Sequence, residues 1–212
     1  MKAESLSAKA RSKIEELILE GSLVDKVTER DLAQRLKMSR APIREAMREL
    51  LNVGLLERQG PRSIVVRELN VSEIEEIYHI RSILEARAAG LAAQKITKNQ
   101  VTELNTLHNK MITSAKEVDI DNYYDLNILF HKKIHTAAHS PRLIALIDIV
   151  MKESLLFRSR GLVDIENIET SIKDHTLILD ALTAKDAELA SLFMSRHIEG
   201  GLARLKLVDN ER

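Results

Sequence analysis

Apolar residues recur at helical spacing along most of this chain, and the few departures from that spacing mark its architecture. Within Ala8–Glu20, the residues Ala10, Ile14, Leu17 and Ile18 fall on one face of a helix that Gly21 ends. Thr28 or Glu29 opens a short helix through Leu36, with Leu32, Ala33 and Leu36 turned inward. Ser39 is placed to cap a third helix, Arg40–Val53, and Pro42 sits in its first turn, where its missing N–H costs no helical hydrogen bond. Ile43, Ala46, Met47, Leu50 and Leu51 form the buried stripe of that helix, and Gly54 ends it. The stretch LLERQGPRSIVV then changes to strand-like patterning around Gln59–Ser63, with Gly60-Pro61 at the turn. Residues 1–69 thus read as one domain of three helices and a β-hairpin.

Beyond that hairpin the pattern is wholly helical. Ser72-x-x-Glu75 and Thr97-x-x-Gln100 match capping boxes that open two long helices. Further helices are expected over 121–138, 142–160, 165–182 and 186–207, with Pro141 and Gly161 at two of the boundaries. The fold class is mainly α: an N-terminal helix-turn-helix with a hairpin, then an antiparallel bundle of about six helices over residues 70–212. The link at Arg67–Val71 is too short to let the two domains tumble freely.

Composition narrows the function. Of 212 residues, 44% are apolar and 30% charged, which excludes a disordered chain. No apolar run approaches membrane-spanning length, and the start MKAESLSAKARSK lacks the apolar core of a secretory signal. With no Cys, disulfides and thiolate metal sites are impossible, and the expected compartment is the cytoplasm. The formal charge of zero conceals an uneven distribution: +3 over residues 1–70 and −3 over residues 71–212. All seven His lie at or beyond His79.

The basic excess is placed where it matters. Arg40, Arg44 and Arg48 recur every four residues, opposite the apolar stripe of the third helix, and guanidinium forks there suit guanine edges or phosphates in a major groove. Arg30 is positioned to hold a phosphate, and Arg58 and Arg62 flank the hairpin tip. A surface helix laced by ion pairs is the competing reading, since Glu45 and Glu49 adjoin these arginines. The stretch SRAPIREAM…LLNVGLL, and residues 9–67 more broadly, resembles the winged helix-turn-helix of the GntR family of bacterial transcription regulators. The resemblance implies DNA contact by Arg30, Ser39, Arg40 and Arg44, with wing contacts near Gly60 and Arg62; Arg48 joins them by its place on the helix face. Ala41 replaces a frequent Thr, and Ser63 a frequent Gly.

In the back domain the His pattern invites a metal search. Asn127 and His131 share a helix face, but His131, His135 and His139 also run at four-residue steps, so spacing leaves the ligand choice open. The stretches IYHIRSILEARAA, NILFHKKI, Asp174-His175 and DAELA…SRHI resemble the all-helical FCD-type effector domain of FadR-subfamily regulators, in a VanR-like version. That resemblance implies a ligand set of Asn127, His131, His175 and His197 for a divalent ion such as Zn, Ni or Mn, with Asn127 where Asp is more frequent. It also implies a small carboxylate effector beside the metal, clamped by Arg81 or Arg158. The expected protein is a homodimeric regulator, a repressor by expectation and not an enzyme, that binds a double-stranded DNA operator and no membrane. Competing readings are a metal-sensing or effector-blind regulator with a structural metal, and a metallohydrolase. Against the last, no motif places a carboxylate as general base.

Overall fold

The computed structural model describes residues 5–23, 26–61, 63–158 and 165–209, with side chains 157–158, 165–166 and 205–209 outside the description. The described chain divides into two compact units, one drawing on residues up to Ile74 and on those from Met151, the other on Glu75–Val150 and the chain beyond.

The first unit begins with α1 (Leu6–Leu19), whose Ala10, Ile14 and Ile18 are buried at successive turns. Strand β1 (Lys26–Val27) leads into α2 (Glu29–Leu36), capped by the Thr28 side chain, which accepts from the Asp31 N–H. Helix α3 (Arg40–Asn52) buries Ile43, Ala46, Met47 and Leu50, as its stripe requires. It ends where the Leu55 N–H donates to the Leu50 carbonyl and the Gly54 N–H to Leu51, with Gly54 at φ 76. A Cβ at Gly54 would meet Glu153 Oε1 at 2.8 Å, so close approach adds to the conformational requirement. Strands β2 (Leu56–Arg58) and β3 (Ile64–Val66) form the expected hairpin, and β1 pairs antiparallel with β3, giving the order β1-β3-β2. The third strand was not expected from the sequence. The end of α7 from Met151 belongs to this unit, through Lys152 on Glu15 at 2.9 Å and Glu153 on Arg67 at 3.3 Å.

Six helices follow: α4 (Val71–Lys95), α5 (Lys98–Lys116), α6 (Ile120–Ala137), α7 (Pro141–Arg158), α8 (Ile165–Ala184) and α9 (Ala187–Asp209). The Thr97 and Gln100 capping box forms as expected. The Ser72 box does not. Instead Asn70 Oδ1 accepts from the Glu73 N–H, and Glu73 Oε2 accepts from the Asn70 N–H. Leu69 and Ile74, at the positions before the cap and four after it, are both buried, whereas Val71, which would flank a Ser72 cap, is 47% exposed. The apolar staple therefore selects the Asn70 register.

In the second unit α5 packs against α6 and α8, and α8 against α9. Its core includes Leu104, Met111, Phe130, Ile134, Ile178, Leu182 and Met194. Among the described residues no helix is long and apolar enough to cross a membrane.

Candidate functional site

Helices α2 and α3 with the β2–β3 hairpin form a winged helix-turn-helix. The turn between the helices passes through Lys37 at φ 52, a left-handed residue that ends α2. Arg40, Arg44 and Arg48 are all exposed on α3. Ser39 precedes the helix in extended conformation, yet its exposed hydroxyl makes no cap hydrogen bond and so is not consumed by the helix end. The acidic neighbours do not neutralise the arginine row: Glu49 is engaged by Arg11 of α1 at 2.9 Å, and Arg44 by Glu29 at 2.9 Å in a solvent-exposed pair that contributes little. Arg30 is exposed beside Asp31 at 3.5 Å. Gly60 turns the wing tip at φ 87, where the Gln59 N–H donates to the Ser63 carbonyl, and Arg58 is exposed on β2. Arg62 lies outside the described residues.

The second unit brings three of the expected metal ligands together. His131 of α6, His175 of α8 and His197 of α9 are buried, and the Nε2 atom of His197 lies 3.2 Å from the Nε2 atoms of both others. Two nitrogens on one tetrahedral zinc stand about 3.3 Å apart, given Zn–N bonds of about 2.05 Å. Asn127 stands one turn before His131 on α6, and its Oδ1 is buried with no hydrogen-bond partner among the described residues.

The tautomers sharpen this geometry. Glu85 of α4 is buried, and Arg81, with hydrogen bonds from His131 and His135, holds its carboxyl well below the usual range against the opposing effect of burial. An ionised carboxylate only accepts, so His131 donates Nδ1–H to Glu85 Oε2 at 2.9 Å and keeps a bare lone pair on Nε2. Burial pushes the His131 imidazole down to about 4, so it stays neutral near pH 7. The His197 Nδ1 atom faces Asp174 Oδ2 at 3.3 Å, which likewise turns its Nε2 toward the centre. The two Nε2 atoms thus oppose each other at 3.2 Å in a buried site. A shared divalent cation resolves that opposition, and with the orphaned Asn127 oxygen the residues present fit such an ion.

His135 is the alternative that spacing left open. Its Nε2 donates to Glu85 Oε2 at 3.0 Å, the same oxygen that accepts from His131. Glu85, His131 and His135 also form a compact buried group, but Glu85 is there saturated, since its Oε1 accepts from Arg81 Nε at 2.9 Å. Arg81 is buried and lies over the Tyr78 ring at 4.9 Å. The Arg158 side chain lies outside the description. Of the other histidines, His79 and His139 are exposed, and His108 Nε2 bonds the Ile172 carbonyl at 3.2 Å.

Sequence reasoning missed the orienting roles of Glu85 and Asp174 and the place of Arg204. Each carried a signal: Glu85 is one turn from Arg81, Asp174 precedes His175, and Arg204 is two turns after His197 on the same face of α9.

A winged helix-turn-helix with an exposed arginine row, joined to a helical domain built around three converging imidazoles, defines a DNA-binding regulator with a metal-capable sensor domain. Residues 6–66 match the family described as "Bacterial regulatory proteins, gntR family", and residues 76–200 match the FCD domain. The chain belongs to the gntR family of bacterial regulatory proteins and carries an FCD-type effector domain; it is a transcription regulator, not an enzyme. It is 28% identical over 193 residues to the HTH-type transcriptional regulator McbR of Escherichia coli (strain K12), covering 89% of this chain and 87% of that protein. It is 31% identical over 172 residues to the probable D-xylose utilization operon transcriptional repressor of Paenarthrobacter nicotinovorans, covering 81% of this chain and 75% of that one. The solved structure of E. coli McbR/YncC superposes with a TM-score of 0.84 at 25% identity, over 97% of this chain and 99% of that chain.

Proposed function

We propose that this regulator is a homodimeric repressor that binds an operator through Arg30, Ser39, Arg40, Arg44, Arg48, Gly60 and Arg62, and that releases it when a small organic acid binds beside a divalent metal in the FCD domain. The observation that carries the reading is the exposed arginine row on α3, next to a Ser39 hydroxyl left unused by the helix cap. Asn127, His131, His175 and His197 hold Zn, Ni or Mn in this reading, and the bound ion supplies a Lewis-acid seat for one acid oxygen. Arg81 and Arg158 are the arginines that the family resemblance offers to the acid's other oxygens. The division of labour falls between residues 1–69 and 70–212. Six helices in the second part favour a VanR-like member of the FadR subfamily, and exposed Ile80, Ile83, Leu146 and Ile149 supply apolar surface for a second copy. The cytoplasm is the matching compartment for a cysteine-free DNA-binding chain.

The acid acts only through its different affinity for the operator-bound and released arrangements. Selection from a random duplex library, followed by fluorescence anisotropy at several salt concentrations, tests the reading. A pseudo-palindromic sequence is expected, with affinity that falls steeply as salt rises. Affinity independent of salt overturns DNA binding by this arginine row. If a chelator lowers the melting temperature while no acid moves operator affinity, the metal is structural and the effector part of the reading fails.

A further inference from the structure

Two adjacent residues of α7 carry opposite charges into the DNA-binding unit, and each meets its complement there. Lys152 Nζ donates to Glu15 of α1, at 2.9 Å to Oε1 and 3.2 Å to Oε2. Glu153 Oε1 accepts from Arg67 Nη1 at 3.3 Å. Side-chain exposure in these pairs runs from 16% at Glu15 to 32% at Lys152, against 54% and 37% in the Arg44–Glu29 pair, so water screens them less. Both complements are tied to α3, the helix of the arginine row. Helix α1 packs on α3, and Arg11, one turn before Glu15, holds Glu49 of α3 at 2.9 Å. The Arg67 N–H donates to the carbonyl of Leu55, just past the end of α3, at 3.1 Å. The Arg67–Glu153 pair itself lies on Gly54: a Cβ there would meet Glu153 Oε1 at 2.8 Å and Arg67 Nη1 at 2.9 Å, so only glycine lets the pair sit this close to the helix end.

Arg67 also serves Glu73, the residue that closes the cap of α4, at 2.8 Å. One guanidinium thus faces two carboxylates, and Glu153 is the more loosely held: burial pushes its carboxyl up against the pull of Arg67. Helix α7 is continuous from Pro141, and its residues up to Val150 belong to the other compact unit. A helix of 18 residues responds largely as a rigid element, so what sets the start of α7 also sets Lys152 and Glu153.

We propose that Lys152 and Glu153 are positioning residues for operator recognition: a two-pronged clamp, on Glu15 and on Arg67, by which α7 fixes the C-terminal half of α3 and so aims the arginine row. Neither residue touches DNA; each acts through a partner tied to α3. The proposal rests on the reading above, in which that row binds the operator. The residues that aim it lie more than eighty positions beyond the wing, outside the stretch 1–69 that the sequence marks as the DNA-binding domain.

The test uses the full chain, with anisotropy titrations against the selected operator duplex and against a random duplex. Glu153→Gln and Lys152→Gln are each expected to weaken operator affinity roughly threefold to thirtyfold. For Glu153→Gln this loss runs against bulk charge, since removing an anion favours DNA. Random-duplex affinity should not fall in Glu153→Gln, and the salt slope for the operator should match wild type, because no phosphate contact is lost. The exchanged pair Glu15→Lys with Lys152→Glu keeps the net charge and should restore operator affinity to within about threefold of wild type, whereas Lys152→Glu alone should not. Operator affinity that is unchanged in both Gln variants, or that rises in Glu153→Gln as bulk charge alone dictates, overturns the proposal. So does an equal loss on operator and random duplex in Glu153→Gln, the mark of a merely structural role, or an exchanged pair that fails to restore binding. Arg44→Ala separates the two levels: if it leaves operator affinity unchanged, the reading beneath the proposal fails instead.

Discussion

Lowering the pH from 7 to 4 is expected to strip about 3 kcal/mol from the stability of the metal-free FCD domain through His131 alone. That imidazole falls from 6.5 to about 4 on folding because it is buried, and each tenfold loss of proton affinity is worth about 1.4 kcal/mol. The direction follows from proton counting. Between pH 6.5 and 4 the unfolded chain binds the proton and the folded chain does not, so stability is full above that window and lost as the pH falls through it. His175, fully buried and also pushed well below its ordinary value by burial, adds a loss of the same sign. Glu85 adds a loss of the same sign that sets in only at the acid end of this window, as the pH nears the 4.5 of the unfolded carboxyl, and runs on below it. Domains of this size are stable by about 5–15 kcal/mol, so the loss is a substantial fraction of the whole. Urea titrations followed by far-UV circular dichroism at pH 7, 5.5 and 4.5, with a chelator present, read it out. Saturating Zn²⁺ raises every curve by mass action, and the gain shrinks toward low pH, where protons compete for the imidazoles. A metal-free stability that is flat, or that rises, as the pH falls from 6.5 to 4.5 refutes the assignment of a neutral, buried His131.

Arg44→Ala should weaken operator affinity roughly tenfold or more and shallow the salt dependence, with no change in the urea midpoint, since Arg44 is exposed and its pair with Glu29 contributes little. Asn127→Asp should tighten metal binding roughly tenfold, the scale of one added charge interaction of about 1.4 kcal/mol; chelator competition measures it. Glu85→Gln removes the charge that buried Arg81 faces and should cost about 3 kcal/mol in urea titrations. By loosening His131 it should also lower metal affinity roughly tenfold to a hundredfold. Phe130→Ala deletes a fully buried ring whose centroid lies 4.9 Å from that of His175, and should cost about 3–5 kcal/mol by the same measurement.

What the sequence made legible were features decided within a turn or two of chain. The stripe of α3 and the Thr97 capping box depend on residues three to eight apart, and both are found where the pattern puts them, save that Leu51 at the stripe's edge is only half-buried. Two-residue β1 is shorter than any alternation that could announce it, and only pairing with β3 makes it a strand. The sequence reading starts α4 at Ser72-x-x-Glu75, whereas Asn70 and Glu73 make the cap. The burial of Leu69 and Ile74 chooses between them, and burial is a property of the fold. The histidines show the same limit more sharply. Spacing places His131 and His135 on one face of α6 and offers no reason to prefer either as a ligand. Glu85, from another helix, accepts from Nδ1 of His131 and from Nε2 of His135. The first contact frees Nε2 to face His197, and the second occupies Nε2. The distinction between a metal ligand and its supporting neighbour is therefore held in a carboxylate more than forty positions away in the chain, and a motif confined to α6 could not have contained it.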